Sequence, residues 1–224
     1  MTDHAPSSFT EALCSSRDAA ATGFVLAHLD GSGRGGGPIL WVQDACALRE
    51  AGLPCLRGIE GAGLRTSLLR VTTKRAVDAL WAMEEGLGCA ALSAVVGEIW
   101  GRPRALDLTA TKRLALRSRA SGVPVWLLRP DGEAALSAAP ERWHVAPAAS
   151  DPNPWDARAP GAPRWLAELF RSRSRAPGAW VAGHDRAAHR VDLAAPVRDG
   201  ALAAGAGRPA RDGARALGGA RARA

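Results

Sequence analysis

Short apolar runs that alternate with helix-like segments constrain the fold of this chain more than any other feature. Five runs predict strands, at Phe9–Cys14, Pro38–Val42, Ser67–Val71, Ala90–Val96 and Val123–Leu128. The continuous hydrophobicity of a run such as PILWV is typical of a strand buried on both faces of a parallel sheet. Strands separated by helices over residues 9–130 therefore predict a parallel sheet with helices on both faces and right-handed connections.

Helical periodicity is clearest between Lys74 and Leu87, where apolar residues recur at the spacing of one helix face. Thr72 or Thr73 is expected to cap the start of this helix. Other helices are predicted at Ala19–Leu29, at a short segment that ends at Ala51, and at Asp107–Ala120. The tryptophans expected in the core, because they fall within these elements, are Trp41, Trp81 and Trp126.

The sequence changes character after residue 132. Six prolines between residues 140 and 163 exclude long helices there. Short strands are predicted at Trp143–Val145 and His189–Leu193, and a hairpin is predicted from Arg164–Phe170 and Ala179–Gly183. Trp100, Trp155 and Trp165 lie near loops or this hairpin, and they are candidate anchors for a protein partner because tryptophan is enriched at binding hot spots.

These patterns predict one domain over residues 9–195, with an α/β core at 9–132 and an antiparallel β extension at 133–195. Residues 1–8 are expected to form a flexible N-terminus, and residues 196–224 a disordered tail rich in arginine, alanine and glycine. Five arginines and one aspartate give residues 200–224 a charge of +4 out of the net +7. We interpret this tail as a solvated extension, so DNA contact is possible but expected to be weak.

The cysteines and the N-terminus limit the class of protein. Cys14, Cys46, Cys55 and Cys89 have neither CxxC nor CxxH spacing, so no metal site is expected. The sequence has no signal-peptide pattern and no apolar run long enough to span a bilayer. These features predict a cytoplasmic protein without membrane contact, whose thiols are free and mostly buried.

Three segments resemble one known family. RAVDALWAMEEGLGCAALSAVVGEI (75–99), ALDLTATKRLALRSRASGVPVWLLRP (105–130) and APRWLAELFRSRSRAPGAWVAGHDRAAHRVDL (162–193) are similar to ImuA (inducible mutagenesis protein A) proteins. The resemblance covers about residues 10–195. It implies a RecA-like parallel sheet flanked by helices, with a C-terminal antiparallel β extension. It also implies a role in SOS-induced translesion synthesis, beside an inactive Y-family polymerase homologue (ImuB) and an error-prone replicative-type polymerase, with RecA as a further candidate partner.

An active ATPase of this fold needs a glycine-rich loop that ends in Lys-Ser/Thr, because backbone N–H groups and an ammonium must hold the phosphates. The loop after the first strand, residues 15–22 (SSRDAAAT), has neither glycine nor lysine. Arg17 could supply a positive charge and Thr22 a hydroxyl, but Asp18 would repel phosphate. The other glycine-rich stretch, Asp30–Gly37, precedes a strand, so we interpret it as a connector.

The two acidic positions of such an ATPase are also altered. An acid that supports Mg²⁺ should close the strand Ala90–Val96, where Gly97 stands instead. Glu98 follows one residue later, and the alternation of side chains along a strand predicts that it points elsewhere. Asp44 follows Pro38–Val42 at the place of a water-activating carboxylate, and we interpret it as a cap or turn residue.

Two further groups of residues are candidate sites. His184, Asp185 and His189 could be brought together by a hairpin, but they are expected to be polar surface residues. A basic helix face could meet DNA or an acidic partner, and we interpret it as a solvated surface because groove-reading signatures are missing. That face carries Lys112, Arg113, Arg117 and Arg119.

The sequence therefore predicts a non-catalytic RecA-like accessory protein of the SOS mutasome that acts through protein contacts. No catalytic, cofactor-binding or metal-binding residue is expected, and no cofactor. Two alternatives remain at this point. One is a nucleotide-binding recombination ATPase, for which micromolar nucleotide affinity at residues 15–22 would argue. The other is a cell-division inhibitor of the SulA kind, for which cell filamentation on overexpression would argue.

Overall fold

The computed structural model describes residues 8–30, 36–61, 63–64 and 66–196. These residues form five helices and nine strands, in which strands and helices alternate up to β5 apart from the consecutive helices α2 and α3, and only strands follow. The helices are α1 (Ala20–Asp30), α2 (Ala45–Ala51), α3 (Leu56–Gly61), α4 (Ala76–Gly86) and α5 (Leu108–Ser121). The strands are β1 (Phe9–Cys14), β2 (Ile39–Asp44), β3 (Leu68–Thr73), β4 (Ala94–Glu98), β5 (Val125–Pro130), β6 (Glu141–Ala148), β7 (Arg164–Ser172), β8 (Gly178–Asp185) and β9 (Arg190–Pro196).

The strands form a single mixed sheet in the order β3-β2-β4-β5-β1-β6-β7-β8-β9. The first six strands of this order are parallel, and the last three are added antiparallel. This confirms the predicted α/β class, a parallel sheet flanked by helices with a C-terminal antiparallel extension. The boundary differs slightly from the expectation, since β6 lies after residue 132 and still pairs parallel to β1.

Two apolar clusters cover the two faces of the sheet. On one face, α1 packs Phe24 and its neighbours against Trp41, Trp126 and Trp143. On the other face, α4 and α5 pack Leu80, Met83 and Leu114 against β2, β4 and β5. Trp41 and Trp126 are buried as predicted. Because only residues 15–19 connect β1 to α1, the packing of α1 on the sheet also positions the loop between them.

Helix α4 corrects two predictions. Its N-cap is Arg75, and the Arg75 side chain binds Asp78, while the Thr73 hydroxyl donates to the Arg75 carbonyl, so neither Thr72 nor Thr73 caps the helix. Trp81 is 65% exposed and does not belong to the core. The buried stripe passes through Leu80, Met83 and Leu87 instead. Because each residue along a helix rotates the side chain by about 100°, Trp81 points away from this stripe although it follows Leu80 directly.

Helix α3 was not predicted, because six residues with two glycines are too short to show a period. Residues 1–7, most of the predicted Asp30–Gly37 connector and residues 197–224 of the predicted tail lie outside the described residues. Pro196, the first residue of the predicted tail, ends β9 instead. In the described part of the chain, no helix has the length and hydropathy required to cross a bilayer.

Candidate functional site

A cavity of about 570 Å³ opens at the carboxyl end of the parallel strands. Its walls are the loop after β1, the first turns of α1 and the segment from Ala51 to Gly61, which includes α3. Ligands of open α/β sheets bind at this end of the strands. The cavity is therefore where a nucleotide would lie if the protein bound one.

In the loop of residues 15–22, three backbone N–H donors, those of Ser16, Arg17 and Ala20, already bind nearby side chains. The backbone N–H and hydroxyl of Ser16 donate to the two carboxylate oxygens of Asp131, at 3.0 and 2.5 Å. Asp18 Oδ1 accepts from the Ala20 backbone at 2.9 Å, and the Ser15 hydroxyl accepts from the Arg17 backbone at 3.0 Å. A phosphate cradle needs such N–H groups to be free.

Asp131 places a negative charge against this loop. It sits in the turn after β5 with a φ of 51°, a left-handed conformation that aspartate tolerates better than most residues. The hydrogen bonds from Ser16 hold the pKa of Asp131 below its usual range. The carboxylate thus stays ionised at neutral pH, and it would repel a phosphate at the same donors.

Glu98 corrects the prediction that its side chain points away from the loop. Strand β4 continues through Glu98, which pairs with Gln43 on one side and Leu128 on the other. Ala94 and Val96 belong to the core cluster on the α1 face, and period-two alternation places Glu98 on that same face. Glu98 lines the cavity together with the loop of residues 15–22.

The Glu98 side chain is buried, and no cation among the described residues contributes to the shift of its pKa. Burial raises the pKa of Glu98 to about 7, and the carboxylate of Asp44 adds to the rise. Hydrogen bonds from Trp41 and Gln43 oppose it. At pH 7 this carboxyl group is close to half protonated.

Asp44 caps α2, which is one of the two roles, cap or turn residue, that the sequence predicts for it. Its Oδ1 accepts from the Ala47 backbone at 2.7 Å, and it precedes the first residue of α2. Of the two residues weighed as phosphate ligands, Thr22 lies in α1 and Arg17 in the loop, and both line the cavity. Arg17 is exposed, so it belongs to the mouth of the cavity.

All four cysteines are free thiols, as predicted, but they are less buried than expected. Cys55 and Cys89 are exposed, and Cys14 and Cys46 are partly buried. Cys14 ends β1 at the cavity, where burial, followed by the charge of Glu98, raises its pKa to about 12. The Cys14 thiol is therefore protonated at neutral pH.

The two C-terminal histidines meet at Asp30, the last residue of α1. His184 Nε2 lies 2.9 Å from one Asp30 oxygen, and His189 Nδ1 lies 3.0 Å from both. The His184 side chain is only 4% exposed, so the prediction of a polar surface residue is wrong for it. No group of residues suited to hold a metal ion is found within the described ranges.

The basic face of α5 is partly neutralised by α4. Arg113 contacts Glu84 at 2.8 Å, and Arg117 lies 3.5 Å from Glu85. Lys112 and Arg119 are exposed. Two of the four basic side chains on this face thus pair with carboxylates of α4.

The three tryptophans weighed as partner anchors have three different environments. Trp165 is 4% exposed in the core and is not an anchor, because β7 turns it toward Phe24 of α1. Trp100 is partly buried. Trp155 is 92% exposed, at the tip of a loop in which the Asn153 side chain accepts from the backbones of Trp155 and Asp156.

Comparison with known proteins gives two similar relatives. The chain is 35% identical over 182 residues to Protein ImuA of two Caulobacter vibrioides strains, NA1000 / CB15N and ATCC 19089 / CIP 103742 / CB 15. In each case the match covers 76% of this chain and 70% of the relative. No family model matches the chain.

Among solved structures, SulA from Pseudomonas aeruginosa overlaps 56% of this chain and 99% of its own, at 19% identity and a TM-score of 0.42. The fold assignment of the chain rests on its own strand order.

Proposed function

Because the chain belongs to the ImuA family, we propose that it is a non-catalytic RecA-like accessory protein of SOS-induced translesion synthesis. The similarity to ImuA supports a role in damage-induced mutagenesis. The proposed mode of action is contact with other proteins, namely an ImuB-like inactive polymerase homologue and an error-prone replicative-type polymerase.

The observation that carries the non-catalytic role is the occupied loop after β1. Asp131 takes the donors of Ser16, and Asp18 takes the backbone N–H of Ala20. To bind these N–H groups, a triphosphate would have to displace the carboxylates of Asp131 and Asp18 and would then lie next to their negative charges. The loop also offers no lysine in return. These features support a RecA-like domain that is retained for its surface.

Trp155 is the surface residue that best fits a protein contact. Asn153 organises its turn, and Arg164 pairs with Asp151 at 2.9 Å at the base of the same loop. The indole is thus presented by a loop that is already ordered, which lowers the entropic cost of binding. We propose that this loop docks on the polymerase homologue.

Two measurements test the proposed function. Calorimetric titration with ATP and Mg²⁺ should show no binding in the micromolar range. A pull-down with the ImuB-like partner should recover a complex, which Trp155→Ala weakens about tenfold or more, as expected of a hot spot. Trp81→Ala is the matched control, because it also removes an exposed tryptophan and should leave the complex intact.

Two outcomes would contradict the proposal. The first is micromolar ATP affinity that Arg17→Ala or Thr22→Ala abolishes, which would favour a nucleotide-dependent ATPase. The second is the absence of any complex with the polymerase homologue while the protein is folded by circular dichroism.

A further inference from the structure

The inner wall of the cavity combines apolar side chains with one carboxylate. Leu26 of α1, Ile59 of α3 and Leu128 of β5 line it, and each is at most 5% exposed. Trp41 and Glu98 complete this wall, at 1% and 5% exposure. A charged group in such a setting is costly unless it has partners. Glu98 is therefore the feature of the wall that needs an explanation.

The hydrogen bonds of Glu98 use only one of its two oxygens. Oε2 accepts from Gln43 Nε2 at 2.8 Å and from Trp41 Nε1 at 3.3 Å. Among the described residues, none donates a hydrogen bond to Oε1, because both hydrogen bonds of Glu98 end on Oε2. Since Glu98 lines the cavity, this oxygen is available to a donor that enters it.

The charges around the cavity determine whether a neutral or a cationic donor is favoured at Glu98 Oε1. Two titratable groups interact electrostatically with Glu98, namely Cys14 of β1, which is a protonated thiol, and Asp44 of β2, which is acidic. The two arginines that line the cavity, Arg17 and Arg186, are both exposed and lie at the mouth, where Asp18 also lies. The inner end is thus acidic or neutral, so it attracts a cation and repels a phosphate.

We propose that this cavity receives an arginine side chain from a partner protein, with the guanidinium bound to Glu98 and the methylene stem against Leu26, Ile59 and Leu128. A guanidinium is planar, carries several donors and is more weakly hydrated than an ammonium, so it is the cation that buries best beside a carboxylate. Its stem is apolar and matches the rest of the wall. This inference rests on the proposed function, since it requires a cavity free of nucleotide.

Trp41 provides a direct reporter, because its indole N–H donates to the same carboxylate. The ¹⁵N-labelled full chain is titrated with the capped peptide acetyl-Leu-Arg-Leu-amide, and the indole signal of Trp41 is assigned with Trp41→Phe. The control peptide carries citrulline, which replaces the guanidinium with a neutral urea of the same shape. We expect a saturable shift of the Trp41 signal with the arginine peptide, and affinity about tenfold or more lower with the citrulline peptide.

The pH dependence and a matched variant pair sharpen the test. Glu98 is mostly protonated at pH 6 and mostly ionised at pH 8, so affinity for the arginine peptide should rise about tenfold between them. Glu98→Gln should remove both the preference for arginine and its pH dependence. Glu168→Gln, on an exposed carboxylate of β7, should leave both unchanged.

The outcomes separate the two proposals. Equal affinity for the two peptides, or no saturable shift in the wild-type protein, would overturn the arginine pocket and leave the non-catalytic role intact. A shift of the same Trp41 signal by micromolar ATP and Mg²⁺ would overturn the non-catalytic role. If Glu98→Gln does not fold, the peptide pair and the pH dependence of the wild-type protein still decide the matter.

Discussion

At the scale of single residues, three buried charged side chains centred on Glu11 form one group within the described part of the chain. The Glu11 carboxylate binds Arg129 at 2.9 Å and Arg142 at 2.6 Å, and all three residues are at most 4% exposed. Arg129 also donates to the carbonyl of Gly101. The three residues lie on the adjacent strands β5, β1 and β6, so one carboxylate connects the centre of the sheet.

Replacing Glu11 should destabilise the fold strongly. Glu11→Gln leaves two buried guanidiniums without a counter-charge, and removal of one member of a buried ionic group costs about 3–5 kcal/mol. The free energy of unfolding in urea measures this loss. Asp78→Asn, which breaks the exposed pair with Arg75, is the control and should leave the urea midpoint near that of the wild type. Equal midpoints for the two variants would contradict the prediction.

The cysteines should differ in reactivity because their thiolate fractions differ. With a pKa of about 12, Cys14 is ionised to only about one part in 10⁴ at pH 8. Iodoacetamide at pH 8 should modify the exposed Cys55 and Cys89 first and leave Cys14 intact, as read by peptide mass spectrometry. Raising the pH to 9 should not change this order. Modification of Cys14 at the rate of Cys89 would show that the thiol is neither buried nor repelled by Glu98.

At the scale of elements, the strands were more predictable than the faces of the helices. A buried strand leaves a continuous apolar run, and Phe9–Cys14 matches β1 in full. Helix α4 was located within two residues, yet Trp81 was assigned to the wrong face, because Ala79, Leu80 and Met83 fit a buried stripe as well as Val77, Leu80 and Trp81 do. Only contact with the sheet decides between two stripes so close together.

The contact of Asp30, at the end of α1, with His184 and His189 of the last hairpin can be tested at the scale of elements. Asp30→Ala should loosen β8 and β9 and cost about 1–3 kcal/mol, because it leaves the buried ring of His184 without its partner. Faster amide hydrogen exchange in β9 is the expected signature. His189→Ala serves as the control, since the His189 side chain is 64% exposed and its loss should cost less. A larger effect of His189→Ala would contradict this account.

At the scale of the whole molecule, the sequence predicts the loss of a phosphate cradle but not what has replaced it. The missing glycine and lysine of residues 15–22 are visible in the sequence. The partner of Ser16 is 115 residues away, in the turn after β5, and no local pattern connects the two. Glu98 was misjudged for a related reason, since its orientation depends on whether β4 ends at residue 96 or 98. Long-range pairing decides both points, and it is what a single sequence shows least.

The boundary of the folded unit is the remaining property of the whole molecule that can be tested. The strands of the described sheet and both apolar clusters lie within residues 8–196, so a chain cut after Pro196 should keep its thermal midpoint within about 2 °C of the full chain. A chain cut after Asp185 is the control. It loses β9, including Val191 and Leu193, which pack against the α1-face cluster, and its midpoint should fall by more than about 4 °C. If the first cut lowers the midpoint as much as the second, the C-terminal residues contribute to the fold and the proposed domain boundary is wrong.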